Sequence, residues 1–431
     1  MISRDTLIRL IKDFNENPYP SDLKERSLGI PLEIPLRRAI SIIGPRRSGK
    51  TYMMFLLIRR LIEKGVKPNR ILYVNFESYN LIGAKLSDAK RLVDVYFEIY
   101  PENRNRKVWF FLDEIQNLED WETFVRSLID KGGISIYISG SSSKLLSREI
   151  ATQLRGRTIS YEIYPLSFNE FLDFKEIKFD KFLSSRDRSR IINALNEYLE
   201  WGGYPETLLF DKEKILREIL EVTIQRDLIE RYKIRNEKIL KILIRALAYS
   251  KEFSVHKFYN FLKSSGYRIS KNTLYNYMEM LSDILVIFPV RKFSSSYKKE
   301  ERSIPKIYFV DNGLLRIQGV DSRSKLMENL VFMHLLRDFG RNKISYYKTI
   351  NGQEVDFVIR ENSRVKQLIQ VCYEIEDFNV KEREVKSLLR ASRDLSCNNL
   401  LIITYDYEDV ERIGNRKIIF KPLWKWLLKI N

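Results

Sequence analysis

Two cysteines and two histidines are all that the 431 residues contain. Cys372 and Cys397 cannot build a disulfide framework, and their scarcity favours a reducing interior. His256 and His334 lie far apart, which excludes a histidine-rich zinc site and leaves both as ordinary packed or surface residues. Long apolar runs are missing too. Tyr52 to Ile58 and Ile284 to Val290 are among the longest, well short of the roughly 20 residues that a membrane span needs. The first residues, Met1-Ile2-Ser3-Arg4-Asp5, carry no hydrophobic signal-peptide stretch. The expectation is a soluble, cytoplasmic protein with no membrane contact.

Charge, in contrast, is plentiful and one-sided, with a formal net value of +18. Such a balance favours an anionic partner, most often nucleic acid, although scattered surface lysines would give the same total. Length and pattern divide the chain into residues 1–165, 166–236, 237–310 and 311–431.

The organising stretch is Gly44-Pro45-Arg46-Arg47-Ser48-Gly49-Lys50-Thr51, which fits the phosphate-binding loop pattern. An apolar strand, Ala39 to Ile43, runs into it, and a helical run from Thr51 to about Lys64 leaves it. A helix start offers free N–H groups and the positive end of a dipole, so a triphosphate can settle there. Gly44 and Gly49 permit turns that a side chain would block. Lys50 is then placed to reach the β- and γ-phosphates, and the Thr51 hydroxyl to ligate magnesium. Arg46 and Arg47 are either further phosphate contacts or a solvated loop face.

A second unbroken apolar run, Val108 to Leu112, ends in Asp113-Glu114. This suits a central parallel strand covered on both faces, delivering its acids at the carboxyl end where open α/β sheets place ligands. Asp113 is the expected magnesium partner, and Glu114 the residue that polarises an attacking water. The strand Ile134 to Ile138 ends in Ser139-Gly140-Ser141-Ser142-Ser143, and either Ser139 or Ser141 is placed to bond the water or γ-phosphate. An arginine of Arg155-Gly156-Arg157 is a candidate for stabilising the phosphoryl transition state, including in a neighbouring subunit.

Taken in order, these motifs resemble those of archaeal and bacterial AAA+ ATPases. Pro165-Leu166-Ser167-Phe168-Asn169-Glu170-Phe171 and Trp201-Gly202-Gly203-Tyr204-Pro205-Glu206 extend the likeness to a branch with a C-terminal nuclease-like domain. The resemblance implies an α/β fold: a P-loop core, a helical lid, and a C-terminal α/β domain like a restriction endonuclease. It implies ATP and Mg2+ as ligands, assembly into a homo-oligomer, Ser141 in the sensor 1 position and Arg157 as the arginine finger. It also places Tyr204 and Pro205 near the adenine, although turn chemistry explains Gly-Gly-x-Pro nearly as well.

From Glu237 onward the pattern is three helices and a strand pair, the order of a winged helix. Ser270 is placed to cap the third helix, with Leu274, Tyr277, Met278 and Leu281 as its buried stripe. Lys271, Asn272 and Asn276 then face outward, where such helices read DNA. Lys298, Lys299 and Arg302, in a wing from Ser294 to Arg302, are candidate phosphate contacts. Packing on the ATPase or on another subunit is the alternative role for this module.

After Asn351-Gly352, a hairpin signal, Glu354 and Asp356 fall on one face of a strand. The helix bearing Glu328, this strand, Gln367 to Tyr373, a helix and Leu400 to Thr404 follow an α-β-β-α-β order that resembles the PD-(D/E)XK nuclease core. Glu328 and Asp356 match that pattern, but Gln370-Val371-Cys372 stands where an acid and a lysine belong. A degenerate nuclease site is therefore expected, with Glu374 or Lys366 as alternative sources of the missing groups. The function expected of the whole is ATP hydrolysis that acts on, or is switched by, DNA. An ATP-gated oligomeric switch for a protein partner is the alternative, and an ATP-regulated nuclease a third reading.

Overall fold

The computed structural model describes residues 2–33, 37–140, 154, 156–180, 183–361 and 364–430. They form two units, Met1–Tyr164 and Pro165–Asn431. In the first, the apolar runs become five strands: β1 (Ala39–Ile43), β2 (Ile71–Asn75), β3 (Val108–Asp113), β4 (Ile134–Gly140) and β5 (Thr158–Glu162). All pair in parallel, in the order β2-β3-β4-β1-β5.

The unbroken apolarity of β3 has a physical cause. Side chains alternate across a strand, and both faces of this sheet are buried. Val108, Phe110 and Leu112 enter one core, while Trp109 and Phe111 enter the other. Helix α1 (Arg4–Glu16) lies by the edge strand β2, α2 (Lys50–Glu63) covers the Trp109 face, and α3 (Leu86–Ile99) and α4 (Trp121–Lys131) cover the opposite one. Helix α1 puts Leu7 and Ile11 into one core and Phe14 into the other, so it wraps the β2 edge. Covering an edge in this way removes a surface open to stray strand pairing.

The second unit begins with helices α5 (Phe168–Phe174), α6 (Ser185–Trp201) and α7 (Lys212–Val222). Ser167 and Glu170 form the expected reciprocal cap at the start of α5. Next come α8 (Glu237–Tyr249), α9 (Val255–Ser264) and α10 (Lys271–Asp283), with Ser270 capping α10 and Leu274, Tyr277, Met278 and Leu281 buried along it. An antiparallel pair follows, β6 (Ile287–Val290) with β7 (Lys306–Phe309). The intervening stretch departs from the open wing expected. It contains a short helix, α11 (Tyr297–Glu301), steadied by Arg360 on Glu300 and by Arg291 bonding the Glu301 carbonyl.

Helices α12 (Asn312–Ile317) and α13 (Arg323–Phe339) lead into a six-stranded mixed sheet. Its strands are β8 (Ile344–Lys348), β9 (Glu354–Glu361), β10 (Arg364–Cys372), β11 (Leu400–Thr404), β12 (Asp409–Ile413) and β13 (Arg416–Pro422), in the order β12-β13-β11-β10-β9-β8. Helix α14 (Phe378–Asp394) packs on β9 and β10. The α-β-β-α-β order is thus extended by β8 at one edge and by β13 and β12 at the other.

Candidate functional site

The phosphate loop leaves the carboxyl end of β1 and is shaped by close backbone packing. A Cβ on Gly44 would lie 2.2 Å from the Ile163 carbonyl oxygen, so only glycine fits there. Gly49 caps α2 at φ +96°, a left-handed conformation that glycine adopts without strain. Lys50 is buried, and its Nζ donates to the carbonyls of Gly44 and Pro45 at 3.2 and 3.0 Å, holding the ammonium against the loop. From the N-terminal segment, Arg26 bonds the Ser48 carbonyl at 3.0 Å and the Tyr164 carbonyl at 2.9 Å, bracing the loop from outside.

Thr51 on α2 and Asp113 on β3 meet beside this loop, the Thr51 hydroxyl donating to Asp113 Oδ2 at 2.8 Å. Asp113 is wholly buried, and burial pushes its carboxyl above the ordinary range, against the pull of hydrogen bonds from Ser139 and Thr51. The Tyr73 hydroxyl donates to the same Oδ2 at 2.9 Å, and the Ser139 hydroxyl donates to Oδ1. Ser139 Oγ also accepts from the Glu114 backbone N–H at 3.2 Å. Glu114 sits at φ +48° and is bonded by the Gln116 side-chain amide.

Ser139 is therefore the serine in contact with the acids, while Ser141 lies outside the described residues. Parallel register explains the choice. Ser139 pairs with Ile42 on one side, and the residue before it, Ile138, pairs with Leu112 on the other, so its side chain lands beside Asp113. Tyr73 was not anticipated. It lies inside an apolar strand, and only its separation of two residues from Asn75, the register partner of Asp113, hints at its reach.

Arg157 stands elsewhere. It precedes Thr158, which pairs with Ala39 at the start of β1, whereas the phosphate loop follows Ile43. Four to five residues of strand separate the two ends, roughly 15 Å at about 3.3 Å per residue. The side chain pairs with Asp130 at the surface. Arg157 cannot serve the phosphate loop of its own chain.

In the second unit, Tyr204 is buried and Pro205 is half-buried. The glycines before them have a packing role: Gly203 N–H donates to Asp311 at 2.7 Å, and a Cβ on Gly202 would lie 1.7 Å from the same carboxylate. On α10, Asn272 and Asn276 are exposed. Lys271 lies in an exposed contact with α9, its Nζ 2.8 Å from His256 Nδ1 and over the Tyr259 ring. Lys298, Lys299 and Arg302 are exposed on and just after α11.

The cluster around Glu328 and Asp356 contains a residue that sequence reasoning missed. Lys306 on β7 is 1% exposed, and its Nζ lies 2.9 Å from Glu328, 2.7 Å from Glu354 and 2.9 Å from Asp356. Burial works against its charge, but Asp356 and Glu328 outweigh that and hold its pKa well above the ordinary lysine value. An ammonium ion thus stands among the three acids. No group of three or more acidic, histidine or cysteine side chains that could hold a metal ion occurs among the described residues. The two alternatives weighed for the missing groups lie apart from the cluster, Lys366 in a surface pair with Glu361 and Glu374 exposed.

Gln370 has a structural task, accepting from the Asp356 N–H at 3.2 Å and donating to Glu384 at 2.6 Å. Cys372 packs into the sheet core, and burial pushes its thiol up to about 12. The adjoining cleft of about 800 Å³ is lined by Lys251, Lys348, Arg383 and Lys386 against Glu252, Glu354, Glu382 and Glu384. Its charges balance, so it offers no excess attraction for a phosphate chain.

Residues 36–172 match the family model described as an AAA domain. Residues 192–324 and 323–426 match two models described as domains of unknown function, DUF8612 and DUF4143. The uncharacterized protein MJ1544 of Methanocaldococcus jannaschii is 41% identical over 90% of this chain and 87% of its own. An uncharacterized protein of Haemophilus influenzae is 30% identical over 89% of this chain and 93% of its own. Among solved structures, the Walker-type ATPase PABY2304 of Pyrococcus abyssi is similar with a TM-score of 0.43 and 15% identity, over 74% of this chain and 96% of that one.

Proposed function

The chain belongs to the family of the Methanocaldococcus jannaschii protein MJ1544, with an AAA domain at residues 36–172, and from that premise we propose that it is a magnesium-dependent ATPase that works as an oligomer on DNA. The observation that carries this reading is the meeting of Thr51 and Asp113 at 2.8 Å beside a glycine-built loop that buries Lys50. A hydroxyl and a carboxylate oxygen that close are a donor set suited to magnesium and its water shell. When bound, the metal neutralises charge on the phosphates and holds them in line for attack.

The chain's own residues divide the remaining work. Lys50 exchanges its loop carbonyls for phosphate oxygens, and the backbone N–H groups of Gly44 to Thr51 cradle the phosphate chain. Glu114 accepts the proton of the attacking water. Ser139 holds Asp113 and the Glu114 backbone in fixed relation, the sensor role that the resemblance gives to Ser141. Arg157, unable to reach its own loop, acts on the loop of a neighbouring copy, where its charge stabilises the transferring phosphoryl group.

The module with α8 to α10 and the β6–β7 pair is proposed as a winged helix that contacts DNA. Asn272 and Asn276 face the bases, and Lys298, Lys299 and Arg302 the phosphates. The C-terminal sheet is proposed as a restriction-endonuclease-like domain that does not cleave, a reading supported by the Lys306 ammonium among Glu328, Glu354 and Asp356. ATP turnover of the purified protein, with and without duplex DNA, tests the proposal. Turnover that vanishes in Lys50→Ala and in Glu114→Gln, with nucleotide still bound by Glu114→Gln, is the expected result. A wild-type protein with no turnover under either condition rejects it.

A further inference from the structure

Asp113 is a buried carboxylate oriented by three hydroxyls from three different elements: Thr51 on α2, Tyr73 on β2 and Ser139 on β4. Thr51 and Ser139 belong to the motifs that announce a nucleotide site. Tyr73 belongs to none of them. It shares Oδ2 with Thr51, at 2.9 Å against 2.8 Å, and its ring packs against two others. Phe55 of α2 lies 4.8 Å away and Phe14 of α1 5.8 Å away, the latter nearly parallel at 27°. Phe14 is the residue by which α1 reaches round the β2 edge into the core beneath the phosphate-loop helix.

We propose that Tyr73 is a positioning residue for the metal–nucleotide site, and that α1, through Phe14, is part of the frame of that site. The inference rests on the reading of Asp113 as a magnesium partner. A carboxylate bonded through one oxygen alone can swing about its Cβ–Cγ bond. Donors on both oxygens, from rigid strands and a helix, remove that freedom, and a metal partner needs its orientation fixed in advance. The Thr51 hydroxyl has a competing duty toward the metal. Tyr73 has none, so it keeps Oδ2 aimed while Thr51 turns to its ligand. The ring cannot supply this constraint unless it is itself clamped, and Phe14 and Phe55 do that.

The test uses the full-length chain, the probe N-methylanthraniloyl-ATP, and its fluorescence in EDTA and along a magnesium titration. Tyr73→Phe removes one oxygen and leaves the aromatic stack. The expected result is unchanged probe affinity in EDTA, with the magnesium concentration for the half-maximal metal-dependent gain raised about tenfold or more, the usual scale for losing a partner of a metal ligand. Phe14→Leu shifts the same midpoint in the same direction by less. A Tyr73→Phe midpoint equal to that of the wild type, or an equal loss of affinity in EDTA, overturns the positioning role. A wild type without any metal-dependent gain overturns the reading of the site as well, and so the two failures are told apart.

Discussion

Replacing Lys306 by alanine removes the only ammonium within 3 Å of Glu328, Glu354 and Asp356 among the described residues. Taking one partner from a buried ion pair costs about 3–5 kcal/mol, because the remaining charge is left uncompensated; here Glu328 and Asp356 lose their close cation, while Glu354 keeps Lys251 and Lys348 at 3.4 and 3.6 Å. At about 2–4 °C per kcal/mol for units approaching this size, the melting temperature of the Pro165–Asn431 unit should fall by on the order of 6–20 °C. The loss should depend on pH in one direction only. In the wild type, the raised pKa of Lys306 contributes stability that is whole below the unfolded lysine value near ~10.4 and is lost only above it. Burial alone raises carboxyls, and in the wild type Asp356 is already pushed up to about 6 by burial, in spite of Lys306. Glu328 and Glu354 are also pushed up by burial, but Lys306, helped by Lys251 and at Glu354 by Lys348, outweighs this and holds both below their ordinary range. Without the lysine the burial of Glu328 and Asp356 is less opposed, so their charge costs more stability at neutral pH and nothing below the unfolded values near ~4. Calorimetry of the two proteins from pH 8 down to pH 4.5 should show a gap that is widest at pH 8 and narrows on acidification. A gap under about 1 kcal/mol at pH 8, or one that widens toward pH 4.5, would refute the account of Lys306 as the cluster's cation.

Ser139→Ala should leave nucleotide binding in place and lower phosphate release roughly 10- to 100-fold, the range for losing a group that orients a metal ligand; unchanged release would remove Ser139 from the site. Arg157→Ala should also bind nucleotide but turn over roughly a thousandfold more slowly. Mixing it with Lys50→Ala should restore part of the activity, because each mixed assembly pairs an intact loop with an intact arginine; no recovery would argue against action between copies. Replacing Lys298 and Lys299 together by alanine should weaken duplex DNA binding alike for all sequences. The slope of log affinity against log salt should fall by about 2, one for each phosphate no longer neutralised.

How much of this could be read in the sequence depends on distance along the chain. The loop at Gly44–Thr51 and the strand ending in Asp113 are local patterns, written in glycine positions and unbroken apolar runs. The capping pair Ser167 and Glu170, and the Leu274, Tyr277, Met278 and Leu281 stripe, are equally local. The reach of Ser139 to Asp113 is set by register against β1 and β3, which no local pattern shows. Tyr73 read as one more aromatic in a buried strand. Lys306 was invisible for a stronger reason: its partners lie 22 to 50 residues away on other elements, and a lysine beside an apolar strand ordinarily points to water. Strands β12 and β13 escaped notice because charges such as Arg412 and Lys417 alternate along them as they would in a surface loop.

The lysine cluster also bears on how this protein is inherited. Lys306 falls within the stretch matched by one domain of unknown function, residues 192–324, while Glu328, Glu354 and Asp356 fall within the other, residues 323–426. A genetic exchange that brought in the second stretch from a lineage lacking the lysine would import the buried Asp356, with Glu328 and Glu354 beside it, without their shared ammonium partner. One that brought in the first alone would bury an ammonium ion without its acids. Either recombinant starts life with a folding penalty, so the two stretches are expected to descend as one, and a survey of relatives should find the lysine and the acids kept or lost together.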